Sequence, residues 1–147
     1  MEINLRPAQS SDFKFAFETK RQAMGPHIIA RWGWDEAFQR ELHRKRWNER
    51  PWSIIQADGQ PIGTLSVQEH KDHIRFGEFY LLPQYQRQGI GSKLLQSVLE
   101  RSDVISLPVR LEYLKWNPVG SLYRRHGFKV ISENEVHYFL VCEPVEH

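Results

Sequence analysis

Residues 86–91 read Gln-Arg-Gln-Gly-Ile-Gly and have the types and spacing of a phosphate-binding turn. Two glycines within three residues let the backbone turn tightly and bring its N–H groups close to a ligand. Apolar residues recur at helical spacing directly after the turn, and the start of a helix attracts anions. The pattern therefore predicts a site for a phosphate-bearing ligand. The alternative is an ordinary strand–helix turn in which the glycines serve geometry alone.

Two carboxylates, Glu78 and Glu112, interrupt the apolar patterns of predicted strands. A carboxyl group on such a strand is expected to be at least half-buried, and burial raises its pKa. Either residue is then a candidate proton acceptor. The alternative is an ion pair across the sheet, for instance with Arg75 or Arg110.

The elements that position these groups follow from apolar periodicity and from glycine and proline breakers. Gly25-Pro26 is expected to end the first helix, and Asp35 to cap the second. This order predicts a mostly antiparallel sheet with one βαβ crossover in the middle. Strands are predicted at 3–7, 52–57, 62–67, 73–82, 108–114, 128–132 and 136–142, and helices at about 10–24, 35–50, 89–102 and 118–126.

The composition is that of a soluble globular protein, with 26% charged and 40% hydrophobic residues. A length of 147 residues predicts a single domain, 1–147. There is no apolar run near the roughly 18 residues of a membrane span and no signal-peptide layout at the start. The lone Cys142 suits a reducing compartment. We therefore expect a cytoplasmic protein without a membrane partner.

The charge pattern argues against a nucleic-acid partner. The net charge is only +2, and glutamates interleave the basic stretch at 40–50, which predicts a solvated helix face.

The seven histidines and the single cysteine show no metal-ligand spacing, so no metal is expected.

The turn at 86–91, which follows Leu81-Leu82-Pro83, resembles the acetyl-CoA signature of the GNAT N-acetyltransferase superfamily. A second stretch at 111–128 resembles the family's Asn-Pro, Leu-Tyr and Gly-Phe segment, with Gly120 where relatives usually have alanine. The resemblance covers essentially the whole chain and is strongest from 74 to 128. It implies the α+β GNAT acyl-CoA N-acyltransferase fold, a mixed and mostly antiparallel sheet with helices on both faces.

The resemblance also implies acetyl-CoA as the cofactor and CoA as the product. It places the pantetheine arm along the backbone of a strand that splays from its neighbour, and the pyrophosphate on the glycine turn. The residues so assigned are Phe79, Tyr80 and Leu81 for the arm, Gln86, Arg87, Gln88, Gly89, Ile90, Gly91 and Ser92 for the pyrophosphate, and Asn117 beside the arm.

The implied reaction is direct attack of an amine on the thioester carbonyl. Tyr123 matches the family position whose phenol meets the sulfur, although a packing aromatic is the alternative. Glu112, five residues before Asn117, matches the base proposed for ribosomal-protein N-terminal acetyltransferases and is placed ahead of Glu78. Proton loss through water, without a side-chain base, is the third option.

The acceptor is expected at the segment between the first two helices, where Trp32, Trp34 and Asp35 suit a cationic amine. The alternative there is a helix cap with buried tryptophans. The predicted function is an acyltransferase acting on a primary amine of a small molecule. Two alternatives stay open, a protein or peptide N-terminal acetyltransferase and a non-catalytic acyl-CoA sensor. A homodimer also stays open.

Overall fold

The computed structural model describes residues 1–145, which form seven strands and four α-helices. None of these helices combines the length and apolarity needed to cross a bilayer. The strands are β1 Ile3–Pro7, β2 Ser53–Ala57, β3 Gln60–Glu69, β4 Ile74–Leu81, β5 Val109–Leu114, β6 Lys129–Glu133 and β7 His137–Cys142. The helices are α1 Phe13–Trp32, α2 Glu36–Glu49, α3 Ile90–Ile105 and α4 Gly120–Arg125.

The strands form one mixed sheet in the order β1-β2-β3-β4-β5-β7-β6. The pairs β1–β2, β2–β3, β5–β7 and β6–β7 are antiparallel. β4 and β5 are parallel, with Ile74 opposite Val109, and α3 is the crossover between them. The predicted fold class, a mostly antiparallel sheet with one βαβ crossover, is confirmed.

The chain comprises two compact units, the first formed by residues 1–66 and 78–86 and the second by 67–77 and the chain from 87 onward. In the first unit, the centroid of the His43 ring lies 4.7 Å from that of Phe13, 5.5 Å from that of Phe17 and 5.4 Å from that of Trp52. α1, α2 and the start of β2 therefore share an aromatic core. The second unit buries a core of Ile74, Phe76, Leu95, Val109, Leu111, Phe128 and Leu140.

The prediction that Gly25-Pro26 ends the first helix is wrong, because α1 continues through both residues to Trp32. Pro26 removes one backbone hydrogen bond from the helix interior. Burial of Met24 and Ile28 on either side of it provides packing that holds the turn together. The helix ends instead at Gly33, whose φ of 72° suits a residue without a side chain.

The basic stretch in α2 is only partly the solvated face that the charge pattern predicts. Arg40, Arg44 and Lys45 are exposed, whereas His43 is buried. Arg46 is half-buried. One face of α2 therefore carries polar groups into the first unit.

Candidate active site

The predicted phosphate turn leads into α3 as expected. Gly89 is the N-cap residue with φ of 81°, and the first intrahelical bond runs from the N–H of Lys93 to the carbonyl of Gly89 at 3.1 Å. The N–H groups of Ile90, Gly91 and Ser92 therefore precede the helical ladder, where anions bind. Gly89 lies in the left-handed region, in which an L side chain is strained.

The side chains around the turn are exposed or tied to neighbours. Gln86 donates from Nε2 to the carbonyl of Leu81 at 3.0 Å, which fixes the entry to the turn. Arg87 and Gln88 are exposed. Ser92 Oγ lies 3.1 Å from His126 Nε2, so the first turn of α3 is linked to the end of α4. Sequence reasoning did not identify His126 as a neighbour of this turn.

The end of β4, which carries Glu78 to Leu81, has an irregular backbone. Glu78 adopts a φ of 49°, uncommon for a residue with a side chain, and its carbonyl accepts a hydrogen bond from Thr64 Oγ1 at 2.8 Å. β3 approaches this segment closely at Gly63, where a Cβ would overlap the carbonyl oxygen of Tyr80. The missing side chain at Gly63 is therefore a condition for the observed path of β4.

The side chain of Glu78 is buried, as predicted, and forms an ion pair with Arg50. Arg50 is the C-cap residue of α2. The side chain of Glu78 is 4% exposed to solvent, and that of Arg50 is 22% exposed. The ion-pair alternative is thus realised with a partner that the sequence did not identify.

Two further polar residues of the same unit, Lys20 and His43, were missed by sequence reasoning and are 4% and 1% exposed. Burial, together with the charges of Arg46 and Arg50, lowers the pKa of Lys20 to about 8, and Glu78 opposes the shift. Burial also lowers the pKa of His43 to about 4, so its imidazole is neutral at pH 7. The signal for Lys20 was readable, since it shares a helical face with Phe17 and Met24.

Glu112 lies on β5 opposite Phe139 of β7, and its side chain is exposed. The expectation that it would be at least half-buried is therefore wrong. The alternation along β5 explains the difference, because Leu111 and Tyr113 take the buried face and leave Glu112 on the other.

Tyr123 lies on α4 and is 5% exposed. Its ring centroid is 5.7 Å from that of Tyr113, 5.9 Å from Phe128 and 6.1 Å from Phe76. These contacts are those of the packing alternative, and they also fix the ring in one place. A phenol that is buried and held in one position is suited to act on a reacting group at α4.

The segment before α4 is ordered by Asn117. Its Oδ1 accepts a hydrogen bond from the backbone N–H of Val119 at 3.0 Å. α4 itself begins at Gly120, two residues later than the proline-led start that the sequence predicts. Asn117 therefore shapes the approach to the helix from outside it.

These features agree with one known domain. The family model of the GNAT acetyltransferase domain matches residues 48–130, more than half of the chain. The chain belongs to the GNAT acetyltransferase family. It is accordingly an acyltransferase.

Solved structures with the same fold span this acetyltransferase almost completely. The PaiA N-acetyltransferase of Thermoplasma acidophilum in complex with coenzyme A is 20% identical with a TM-score of 0.77, and the match covers 97% of this chain and 99% of that one. The ribosomal-protein-S18-alanine N-acetyltransferase of Escherichia coli is 15% identical with a TM-score of 0.71, covering 99% and 96%. No curated protein sequence matches the chain.

The segment between α1 and α2 of this acetyltransferase engages its own acidic groups. Asp35 caps α2 by accepting from the N–H of Phe38 at 3.0 Å. Glu36 accepts from Trp34 Nε1 at 2.7 Å and pairs with Arg21 at 2.5 Å. The carboxylate of Asp35, predicted to meet a cationic amine, is therefore the cap of α2, as in the alternative interpretation.

The two tryptophans of this segment differ in their surroundings. Trp34 is half-buried, with its ring 6.2 Å from that of Phe17, whereas Trp32 at the end of α1 is 54% exposed. Trp34 has the packing role of the alternative interpretation, and the substrate-binding role of Trp32 stays a prediction. Within residues 1–145 no group of three metal-ligating side chains comes together.

Proposed function

We propose that this acetyltransferase moves the acetyl group of acetyl-CoA to a primary amine of a small molecule by direct attack. The observation that carries the proposal is the turn at Gly89, where the N–H groups of three successive residues precede the helical ladder of α3. A pyrophosphate at this point would gain backbone hydrogen bonds and the positive end of the helix dipole. Family membership supplies the reaction class.

In this proposal the cofactor arm follows β4 at Phe79, Tyr80 and Leu81, and a backbone N–H near Leu81 stabilises the oxyanion. Such a donor is effective only if the strand does not adjust during the reaction. The Thr64–Glu78 hydrogen bond and the close approach of Gly63 to Tyr80 hold this stretch of β4 in place.

Tyr123 is the proposed proton donor to the departing CoA thiolate. A phenol, with an ordinary pKa of about 10, can protonate a thiolate with a pKa near 8.5 only in a dry environment. The burial of Tyr123 among three aromatic rings meets that condition.

Glu112 is the proposed proton acceptor for the amine. It is exposed, so an amine and its proton can reach it through solvent. Glu78 is the weaker candidate, because its carboxylate is buried and paired with Arg50.

A second function, acetylation of protein or peptide N-termini, is favoured by one observation, the five-residue spacing between Glu112 and Asn117. An assay of thiol release against a panel of small amines and peptides separates the two. Turnover of small amines alone supports the proposal. Turnover of peptides alone contradicts the small-molecule assignment, and CoA binding without any turnover contradicts catalysis.

A further inference from the structure

The side chain of His126, at the end of α4, reaches the first turn of α3. Its Nε2 lies 3.1 Å from Ser92 Oγ. Both side chains are half-buried, and both residues belong to the second unit. Ser92 is the third residue of α3, and its N–H is one of those that precede the helical ladder. The contact therefore joins His126 to the turn at which the proposed function places the pyrophosphate.

The backbone of His126 is held from both sides. Its N–H donates to the carbonyl of Tyr123 at 3.1 Å, and its own carbonyl accepts from Cys142 Sγ at 3.8 Å. Gly127, with a φ of 92°, then turns the chain so that the N–H of the buried Phe128 also donates to the Tyr123 carbonyl, at 3.2 Å. The imidazole therefore extends from a fixed position, as is required of a group that orients another.

The hydroxyl of Ser92 is placed to face an anion at the start of α3. The Cα–Cβ bonds of a helix tilt toward its N-terminus, so a side chain in the first turn leans toward the end at which anions bind. A serine hydroxyl has one O–H to donate and two lone pairs that accept, whereas an ionised pyrophosphate has only acceptor oxygens. Ser92 can therefore bind the phosphate only by donating its O–H, which leaves its oxygen to accept from His126.

This requirement decides which nitrogen of His126 must carry a proton. A neutral imidazole donates from one ring nitrogen and accepts at the other. If Nε2 lacks the proton, it accepts the O–H of Ser92, and the serine presents a lone pair to the phosphate. If Nε2 carries the proton, it donates to Ser92 Oγ and leaves the O–H for the ligand. Only the second arrangement favours an anion at Ser92.

We propose that His126 is a positioning residue for CoA, whose Nε2–H donates to Ser92 Oγ and thereby directs the Ser92 hydroxyl to the pyrophosphate. This inference rests on the proposed function, which supplies the pyrophosphate at the start of α3. His126 acts on the ligand through Ser92.

The first test locates the proton on His126, because a merely structural tie between α3 and α4 is indifferent to the direction of the hydrogen bond. Long-range proton–nitrogen correlation spectra of the full chain with isotope-labelled histidine distinguish a protonated from an unprotonated Nε2. The His126 signals are those missing in His126→Gln. With CoA bound, Nε2 should carry a proton. An unprotonated Nε2 in the CoA complex overturns the inference, and this measurement does not depend on the folding of any less conservative variant.

The second test is a double-mutant cycle on CoA binding, measured by calorimetry. Ser92→Ala should weaken binding roughly tenfold to a hundredfold, since it removes a hydrogen bond to a charged group. His126→Leu should weaken binding about fivefold to thirtyfold in the wild-type background and no further in the Ser92→Ala background. Equal losses from His126→Leu in both backgrounds would show that it acts independently of Ser92, which overturns the inference.

A conservative variant and a matched control sharpen the cycle. His126→Gln should bind CoA nearly as well as the wild type, because its side-chain amide keeps an N–H donor at a similar reach. A loss as large as that of His126→Leu would contradict the donor role. Ser97→Ala should leave binding unchanged, because Ser97 is exposed on the same helix as Ser92.

Dephospho-CoA identifies the phosphate that is contacted, because it lacks the ribose phosphate of CoA and keeps the pyrophosphate. Its binding should show the same losses in Ser92→Ala and His126→Leu. Losses confined to CoA would place the contact at the ribose phosphate and overturn the inference.

Failure of the inference and failure of the proposed function give different results. CoA binding that shows the coupling between His126 and Ser92, without acetylation of any amine, supports the inference and contradicts only catalysis. CoA binding with turnover but without the coupling overturns the inference alone. Absence of CoA binding to the wild-type protein overturns both.

Discussion

Tyr113 occupies the space in which Gly120 would carry a side chain. A Cβ built on Gly120 would lie 2.6 Å from Cζ of Tyr113 and closer still to its hydroxyl oxygen. That hydroxyl is buried. The glycine at position 120 is therefore the counterpart of a large residue on β5.

Gly120→Ala should destabilise the protein by about 1–3 kcal/mol, because the added methyl overlaps the Tyr113 ring. In a Tyr113→Leu background the same change should be neutral or stabilising, since alanine favours helix by up to about 1 kcal/mol over glycine. Urea unfolding of the wild type, the two single variants and the double variant gives the coupling free energy between positions 113 and 120. Gly25→Ala is the control, because its Cβ would meet only Arg21 Cγ at 3.7 Å. Additive effects of the two changes would contradict the overlap.

CoA should raise the melting temperature of the wild-type protein, since a ligand that binds only the folded state stabilises it. Gly89→Glu should abolish the rise by straining the turn and repelling phosphate. Gly59→Glu is a matched control, because Gly59 also has a positive φ, 83°, and open space around it, but lies in the β2–β3 turn. It should lower the melting temperature and keep the CoA response. A normal CoA response in Gly89→Glu would remove the turn from the binding site.

Tyr123→Phe should lower kcat by about a hundredfold while CoA affinity stays nearly constant, because the hydroxyl is the proposed proton donor to the leaving thiolate. Single-turnover rates and calorimetric CoA binding measure the two effects. Tyr138→Phe, which changes a β7 tyrosine, should have little effect on either. An unchanged chemical step in Tyr123→Phe would leave Tyr123 with a packing role only.

Glu112→Gln should shift the pH–activity profile toward higher pH, where more of the amine is neutral without a base. Glu78→Gln should instead lower stability by about 3–5 kcal/mol, because it leaves the charge of Arg50 without its buried partner. Activity profiles and thermal unfolding of both variants test this. A shifted profile in a well-folded Glu78→Gln, with none in Glu112→Gln, would transfer the role to Glu78.

Lys20 should make stability depend on pH in the alkaline range. Its folded-state pKa, about 8, lies below the ordinary value of 10.5, so between these values the unfolded chain binds a proton that the folded protein does not. Stability attributable to this group therefore rises with pH from about 8 to 10.5. Below pH 8 the cost is roughly 3 kcal/mol at most.

Lys20→Met should accordingly be more stable than the wild type at pH 7 and lose the alkaline rise. Lys14→Met, which changes an exposed lysine of the same helix, should keep the wild-type profile. Denaturant unfolding at a series of pH values measures both. A less stable Lys20→Met at pH 7 would show that the ammonium is compensated in the folded state.

The sequence predicted the fold and the glycine turn because these features depend on local patterns. Alternation along β5, helical spacing after Gly91 and the two glycines are all read within a few residues. The length of α1 was not predicted, because the packing of Ile28 outweighs the local effect of Pro26. Tertiary packing of this kind cannot be read from local helix propensity.

The arrangement around Glu78 could be predicted only in part. Its burial follows from the apolar strand, but its partner Arg50 lies 28 residues away on another element. Lys20 stood on an apolar helical face, which indicated burial, but nothing local placed it near a carboxylate. Side-chain pairs between distant elements depend on the assembled fold.

Pro26 in the interior of α1 also divides this helix into parts with different opening behaviour. The proline ring removes the N–H that would donate to the carbonyl of Gln22, so the helix lacks one backbone hydrogen bond there. Beyond it, Ile29 to Trp32 are exposed, whereas Ala16 to Lys20 lie largely in the core. Amides after Pro26 should exchange with deuterium through local opening, and those before it only through larger unfolding. The last turns of α1 can then open without loosening the aromatic core.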